Sequence, residues 1–147
     1  MTSDDYDDPS VEAAWLAEQR ARVGEYLRAQ QVPFGSVADR PGWHLAPYVA
    51  VWPALGKRTG HLQYWVIVGD LPADFLPGDA APDPRGAVAA FAARWQQLAQ
   101  GMLEGRPHQT LEVGGAEQQA ELGDLLLRRA NLLAEFARED EHWQGAL

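Results

Sequence analysis

The sequence predicts an α+β fold, an antiparallel β-hairpin packed against three amphipathic helices, open to extension into a three-stranded sheet. Three observations carry this. Three segments repeat apolar residues at helical spacing. Two runs between the first and second of these segments are rich in β-branched and aromatic residues. Gly- and Pro-containing stretches punctuate each transition. The chain has 147 residues, 46% of them hydrophobic, with six tryptophans, enough to bury a core of its own. No linker is long enough to divide it, so residues 10–147 are expected to form one domain behind an acidic, solvated tail at residues 1–9.

The first helix is expected over Val11–Gln31. Ser10 supplies a capping hydroxyl, and Val11, Trp15, Leu16, Val23, Tyr26 and Leu27 recur on one side, with Arg20 and Arg22 at polar positions between them. Pro33 and Gly35 end it. The chain then reads as irregular through the Pro41-Gly42 turn, up to two strands, Tyr48–Trp52 and Leu62–Val68, joined through Pro53–Gly60. Both strands are apolar on both faces, so the ribbon needs cover from helices, a third strand or a second copy. Val32–Val37 and Leu111–Val113 are the candidates for that third strand.

Gly69-Asp70-Leu71-Pro72 closes the second strand, and a Pro/Gly/Asp-rich stretch runs to Asp83. Asp83-Pro84 is a helix start, an acidic cap followed by proline at the first helical position. Val88, Phe91, Ala92, Trp95, Leu98, Ala99 and Met102 then form one stripe, ending near Glu104 before Gly105 and Pro107. The last helix is expected over Ala116–Glu141, with a wide face of Leu122, Leu125, Leu126, Leu132, Leu133 and Phe136 and an i,i+4 pair of Asp124 with Arg128.

Composition excludes several chemistries. The chain has no cysteine, which removes disulfides, thiolate nucleophiles, iron–sulfur clusters and thiolate zinc sites. Its net charge of −9 opposes binding to phosphate backbones, so no nucleic-acid partner is expected. Asp4, Asp5, Asp7 and Asp8 hold four of those charges, leaving −5 for the rest. No apolar run approaches the roughly 20 residues of a membrane span. The acidic start is the opposite of a secretory signal, so a cytoplasmic location and no membrane partner are expected. Of Ser3, Ser10 and Ser36, none stands in a nucleophile elbow. Lys57, the one lysine, lies in the hairpin loop, whereas Schiff-base chemistry needs a buried lysine. No phosphate-cradling glycine motif is present, and no cofactor is expected. His44, His61, His108 and His142 lack metal-ligand spacing, and Asp70, Asp74 and Asp79 lack the alternation of an EF-hand loop, so no metal is expected.

The remaining candidate site is the end of the second strand together with the segment leading into the next helix. Asp70 closes the strand, Asp74 comes next, and Arg85 stands in the first turn of that helix, where free amides could assist it on an anion. Local turn building accounts for the same residues. His44, beside Trp43, reads as a structural histidine or as a fourth member of that site. Trp15 and Trp95 fall on core stripes; Trp52 and Trp65 are expected to meet across the hairpin; Trp43 and Trp143 lie outside the patterns and suit a groove. The ligand-binding candidates are therefore Trp43, His44, Asp70, Asp74 and Arg85.

The motifs Trp43-His44-Leu45-Ala46-Pro47-Tyr48-Val49-Ala50-Val51-Trp52 and Trp65-Val66-Ile67-Val68-Gly69-Asp70-Leu71-Pro72-Ala73-Asp74, with Pro84-Arg85, Phe91 and Trp95, resemble a family of small bacterial proteins catalogued as a domain of unknown function. The resemblance runs from about Trp15 to Trp143. It implies a bacterial cytoplasmic protein and supplies no activity, cofactor or catalytic residue. Ala73 stands where the resemblance implies a hydroxyl residue, which weakens any site built on that hydroxyl.

The function expected is that of a non-enzymatic binding or regulatory protein, immunity-like or an adaptor by analogy, engaging a protein partner or a second copy through aromatic and acidic surface. The alternative is a small-ligand binder or enzyme around His44, Asp70, Asp74 and Arg85.

Overall fold

In the computed structural model, which describes residues 5–104 and 116–143 (116–119 as backbone alone), the first helix is capped by Asp8 rather than Ser10. Helix α1 spans Pro9–Ala29. One Asp8 carboxylate oxygen accepts from the Ser10 amide at 2.9 Å and from the Ser10 hydroxyl at 2.8 Å. Proline at the first helical position moves the cap one residue before it, and Ser10 becomes a donor to that cap. The Ser10 hydroxyl, followed by the Ser10 amide, holds the Asp8 carboxyl below its ordinary value near 3.8. A carboxyl depressed on folding supports the helix start above its unfolded value and loses that support as pH falls through the folded value. Protection of the Ser10 and Val11 amides, relative to their intrinsic exchange, is therefore expected to fall on acidification below the ordinary carboxylate range, and Asp8→Ala should abolish that fall.

The chain divides into two compact units, Met1–Ala87 and Val88–Leu147. The first holds α1 and the sheet. The predicted hairpin is the centre of a larger array: strands β1 (Ser36–Val37), β2 (Trp43–Leu45), β3 (Val49–Leu55), β4 (Leu62–Gly69) and β5 (Asp74–Pro77) form one antiparallel sheet. β3 and β4 pair from Val49 opposite Gly69 to Leu55 opposite Leu62, with an irregularity beyond Ala54 that leaves Gln63 unpaired. β5 adds to the far side of β4, Asp74 opposite Ile67 and Phe75 opposite Val66. β1 and β2 share the outer edge of β3 as one interrupted strand. Val32–Val37 thus contributes only its last two residues as a strand, and Leu111–Val113 lies outside the described residues.

Alternation sorts the sheet into two faces. On one, Ala50, Trp52, Ala54, Val66 and Val68 pack with Trp15, Val23 and Leu27 of α1, joined by Tyr6, Tyr26, Tyr64 and Phe75. On the other, Val49, Val51 and Ile67 are fully buried, as a ribbon apolar on both sides requires. Trp52 lies opposite Val66 and Trp65 opposite Pro53, so the two indoles face opposite ways and do not meet across the hairpin. Pro53 is itself a strand residue rather than the start of the loop.

Two arginines of α1 fasten the helix to sheet backbone. Arg20 donates to the Val37 carbonyl at 2.7 Å and the Ala38 carbonyl at 2.9 Å, holding the gap between β1 and β2. Arg22 donates to the Gly69 carbonyl at 3.1 Å and to the side chain of buried Gln19 at 2.9 Å. Neither role follows from helical periodicity, which reads both as polar spacers. Arg20→Ala is expected to destabilise the chain by about 1.5–3 kcal/mol, as for other hydrogen bonds to a charged group, measured by urea unfolding. Lysine should rescue little, because it lacks the planar fork that reaches two carbonyls.

The second unit is built from helix α2 (Pro84–Leu103), whose first turn belongs to the first unit, and helix α3 (Ala116–Arg138). The Asp83 carboxylate accepts from the Gly86 amide at 2.7 Å, the expected cap. The whole predicted stripe from Val88 to Met102 is buried. α3 runs antiparallel to α2, with Gln96 donating to Asn131 at 3.2 Å and Gly123 lying against Met102 and the Ala99 carbonyl. Its buried line is Gly123, Leu126, Ala130 and Leu133, narrower than the leucine face predicted, and Leu125 is exposed. Asp124 and Arg128 pair at 3.1 Å as expected. The helix stops at Arg138, three residues short of the predicted end, and the chain turns through a 3-10 segment at Asp140–Trp143. There the Trp143 indole donates to the Phe136 carbonyl at 2.9 Å.

Candidate functional site

The residues singled out from sequence divide between the two faces of the sheet. His44 pairs with Ala50 and so lies on the face that α1 covers. Its ring stands 6.4 Å from that of Trp15, and its Nε2 is 3.5 Å from a Glu12 carboxylate oxygen. Trp43, opposite Val51, points the other way and is buried. Asp74, opposite Ile67, shares Trp43's face, and its carboxylate accepts from the Phe75 amide at 2.9 Å. Asp70 is exposed just past β4, its amide donating to the Tyr48 carbonyl at 2.9 Å. Arg85, half-buried, follows Pro84, which lies beside Gly42. Trp43 and His44 cannot line one pocket, because neighbours in a strand project to opposite sides.

Metal-type ligands meet elsewhere. Among the described residues one group of three brings its ligand atoms within 4.8 Å of one another, Glu139, Glu141 and His142. Glu139 and His142 already pair at 3.1 Å, and the His142 ring packs edge-on against Phe136. These contacts fasten the turn after α3. Asp70, Asp74 and Asp79 do not converge in this way.

A more suggestive arrangement lies at the start of α1. Tyr6, Ser10, Val11, Ala14, Trp15 and Glu18 line a cleft of about 330 Å³. Its residues come from the last turn before α1 and from successive turns of the helix, since Ser10, Ala14 and Glu18 recur every fourth position. Residues 5–18 contain five carboxylates, at Asp5, Asp7, Asp8, Glu12 and Glu18, and no lysine or arginine. Tyr6 and Trp15 both pack with the apolar core and both line the cleft. Aromatic walls beside the Glu18 carboxylate, in an acidic segment, are suited to an organic cation, through attraction to the rings and direct charge pairing. Sequence periodicity assigns Trp15 to the core alone. The usable signal is Tyr6, the sole apolar residue within Asp4–Asp8.

A helix laid across an antiparallel sheet of five strands, followed by a helical pair, makes this an α+β chain with surface clefts. It belongs to the family described as Domain of unknown function (DUF4826), which matches residues 10–143. No curated protein and no solved structure matches it. Among the described residues, no helix is long and apolar enough to cross a membrane.

Proposed function

We propose that this chain is a binding protein, an adaptor or regulator rather than an enzyme, that engages a protein partner by seating a basic side chain in the Tyr6–Trp15–Glu18 cleft. The observation that supports this is the joining of Tyr6 and Trp15 to the Glu18 carboxylate in one cleft, within a segment, residues 5–18, that has five carboxylates and no cation. A guanidinium or ammonium entering the cleft meets aromatic surface from Tyr6 and Trp15 and the Glu18 carboxylate it can pair with. The acidic segment around the cleft also steers basic partners toward the site before contact.

Short peptides carrying one arginine or lysine between apolar neighbours provide the test, read by NMR shifts of the Trp15 indole and the Val11 and Ala14 amides. A saturable shift is expected, weakened about tenfold or more in Glu18→Gln and in Tyr6→Ala, the loss of one charge-assisted or cation–π contact. Peptides that leave these signals unmoved, or bind the Glu18→Gln variant equally well, refute the proposal.

A further inference from the structure

The geometry points to a second binding site at the opposite end of α1, in the cleft under the β3–β4 hairpin tip, for a small organic anion with a flat apolar body. The cleft measures about 520 Å³, within the roughly 300–1,000 Å³ range of small-molecule sites. Pro33 and Phe34 form one wall, and the segment Gly56–Thr59 with His61, Leu62 and Gln63 forms the other.

Charge sets the class of ligand. Residues 40–69 contain no carboxylate, in a chain with 21 acidic residues, and this stretch includes Arg40, Lys57 and Arg58. Lys57 and Arg58 stand on the cleft wall with no carboxylate within ion-pairing distance among the described residues. Arg28, which does not line the cleft, stacks its guanidinium 5.9 Å from the centre of the Phe34 ring. Asp79, in the 3-10 turn Gly78–Ala80 beside Leu62, does not line the cleft. A cationic pocket on an acidic molecule selects an anion locally while the surrounding field repels long polyanions.

The loop is held in a fixed shape. The Gly56 amide donates to the His61 carbonyl at 2.9 Å, and the Gly60 amide donates to the Gly56 carbonyl at 3.0 Å. The Thr59 hydroxyl accepts from the His61 amide at 3.1 Å. Gly35 lies so close to Lys57 that a methyl group there would meet the Lys57 Cα at 2.6 Å, so the two walls are joined at their base. A loop backbone already held in place loses less freedom when a ligand arrives than a floppy loop does. The Phe34 ring and the Leu62 side chain then favour a ligand with an aromatic or similarly flat group, where inorganic phosphate would satisfy the charges alone.

Phenyl phosphate, inorganic phosphate and benzyl alcohol, titrated separately into the full chain, separate the two contributions. Phenyl phosphate is expected to shift the amides of Gly35 and Gly56–Gln63 saturably, to weaken at high salt, and to bind more tightly than inorganic phosphate. Benzyl alcohol should give no saturable shift. The double variant Lys57→Ala/Arg58→Ala, altering two exposed residues, is expected to lower phenyl phosphate affinity by about tenfold or more. No saturable shift, shifts confined to other parts of the chain, or affinity surviving the double variant would overturn the site. Equal affinity for inorganic phosphate would overturn the apolar wall. Tighter binding of an acidic peptide or a short oligonucleotide would overturn the small-ligand assignment.

Discussion

Gly69→Ala is expected to destabilise the chain by about 4 kcal/mol, from about 1–3 for the backbone conformation and about 1–3 for overpacking. Gly69 has φ of 141°, a region that side-chain-bearing residues rarely adopt. A Cβ there would also overlap the Tyr48 carbonyl oxygen and lie 2.9 Å from the Val49 Cα. That carbonyl cannot swing away cheaply, because it accepts from the Asp70 amide. Nor can Gly69 retreat, since its own carbonyl is held by Arg22 of α1. Three constraints from different segments meet at one residue. Denaturant unfolding checks the magnitude, and a loss under about 1 kcal/mol, within the usual effect of a surface change, would show that the turn relaxes freely.

The second large effect distinguishes two buried tryptophans. Trp52→Ala and Trp65→Ala should each cost about 3–5 kcal/mol through lost burial and the cavity left behind. Phenylalanine separates them. The Trp65 indole donates to the Ala81 carbonyl at 3.1 Å, so Trp65→Phe removes a bond and leaves a buried acceptor unpaired, about 1–3 kcal/mol beyond the loss of volume. The Trp52 indole nitrogen is buried without a hydrogen-bond partner among the described residues. Trp52→Phe gives up ring volume but also removes a desolvated donor, so it should be the milder change. Equal losses for the two phenylalanine variants would contradict this difference.

The strongest local signals were legible in the sequence. Asp83-Pro84 and the stripe from Val88 to Met102 specify α2 because cap chemistry and periodicity agree. The two central strands announce themselves by being apolar on both faces. The strands that escaped are those whose existence depends on pairing. Trp43–Leu45 and Asp74–Pro77 are three and four residues long, too short for alternation to register, and the second sits in a stretch rich in turn residues. Missing β2 also concealed the opposite projection of Trp43 and His44, and so joined them in one candidate site. The Tyr6 cleft escaped for a different reason. Trp15 serves the core and the cleft at once, and helical spacing reports only the first.

The interrupted outer strand has a consequence for how this molecule behaves in a crowded solution. A long, flat, unpaired strand edge is a template for cross-β growth, and the border of β3 is blunted against it. β1 supplies two residues and β2 three; Asp39, Arg40 and Pro41 break the row between them. Arg20, bonded to the carbonyls of Val37 and Ala38, fixes the chain where the row breaks. Losing that arginine would therefore make intermolecular stacking easier as well as weakening the fold, and aggregation should rise faster than the loss of stability alone accounts for.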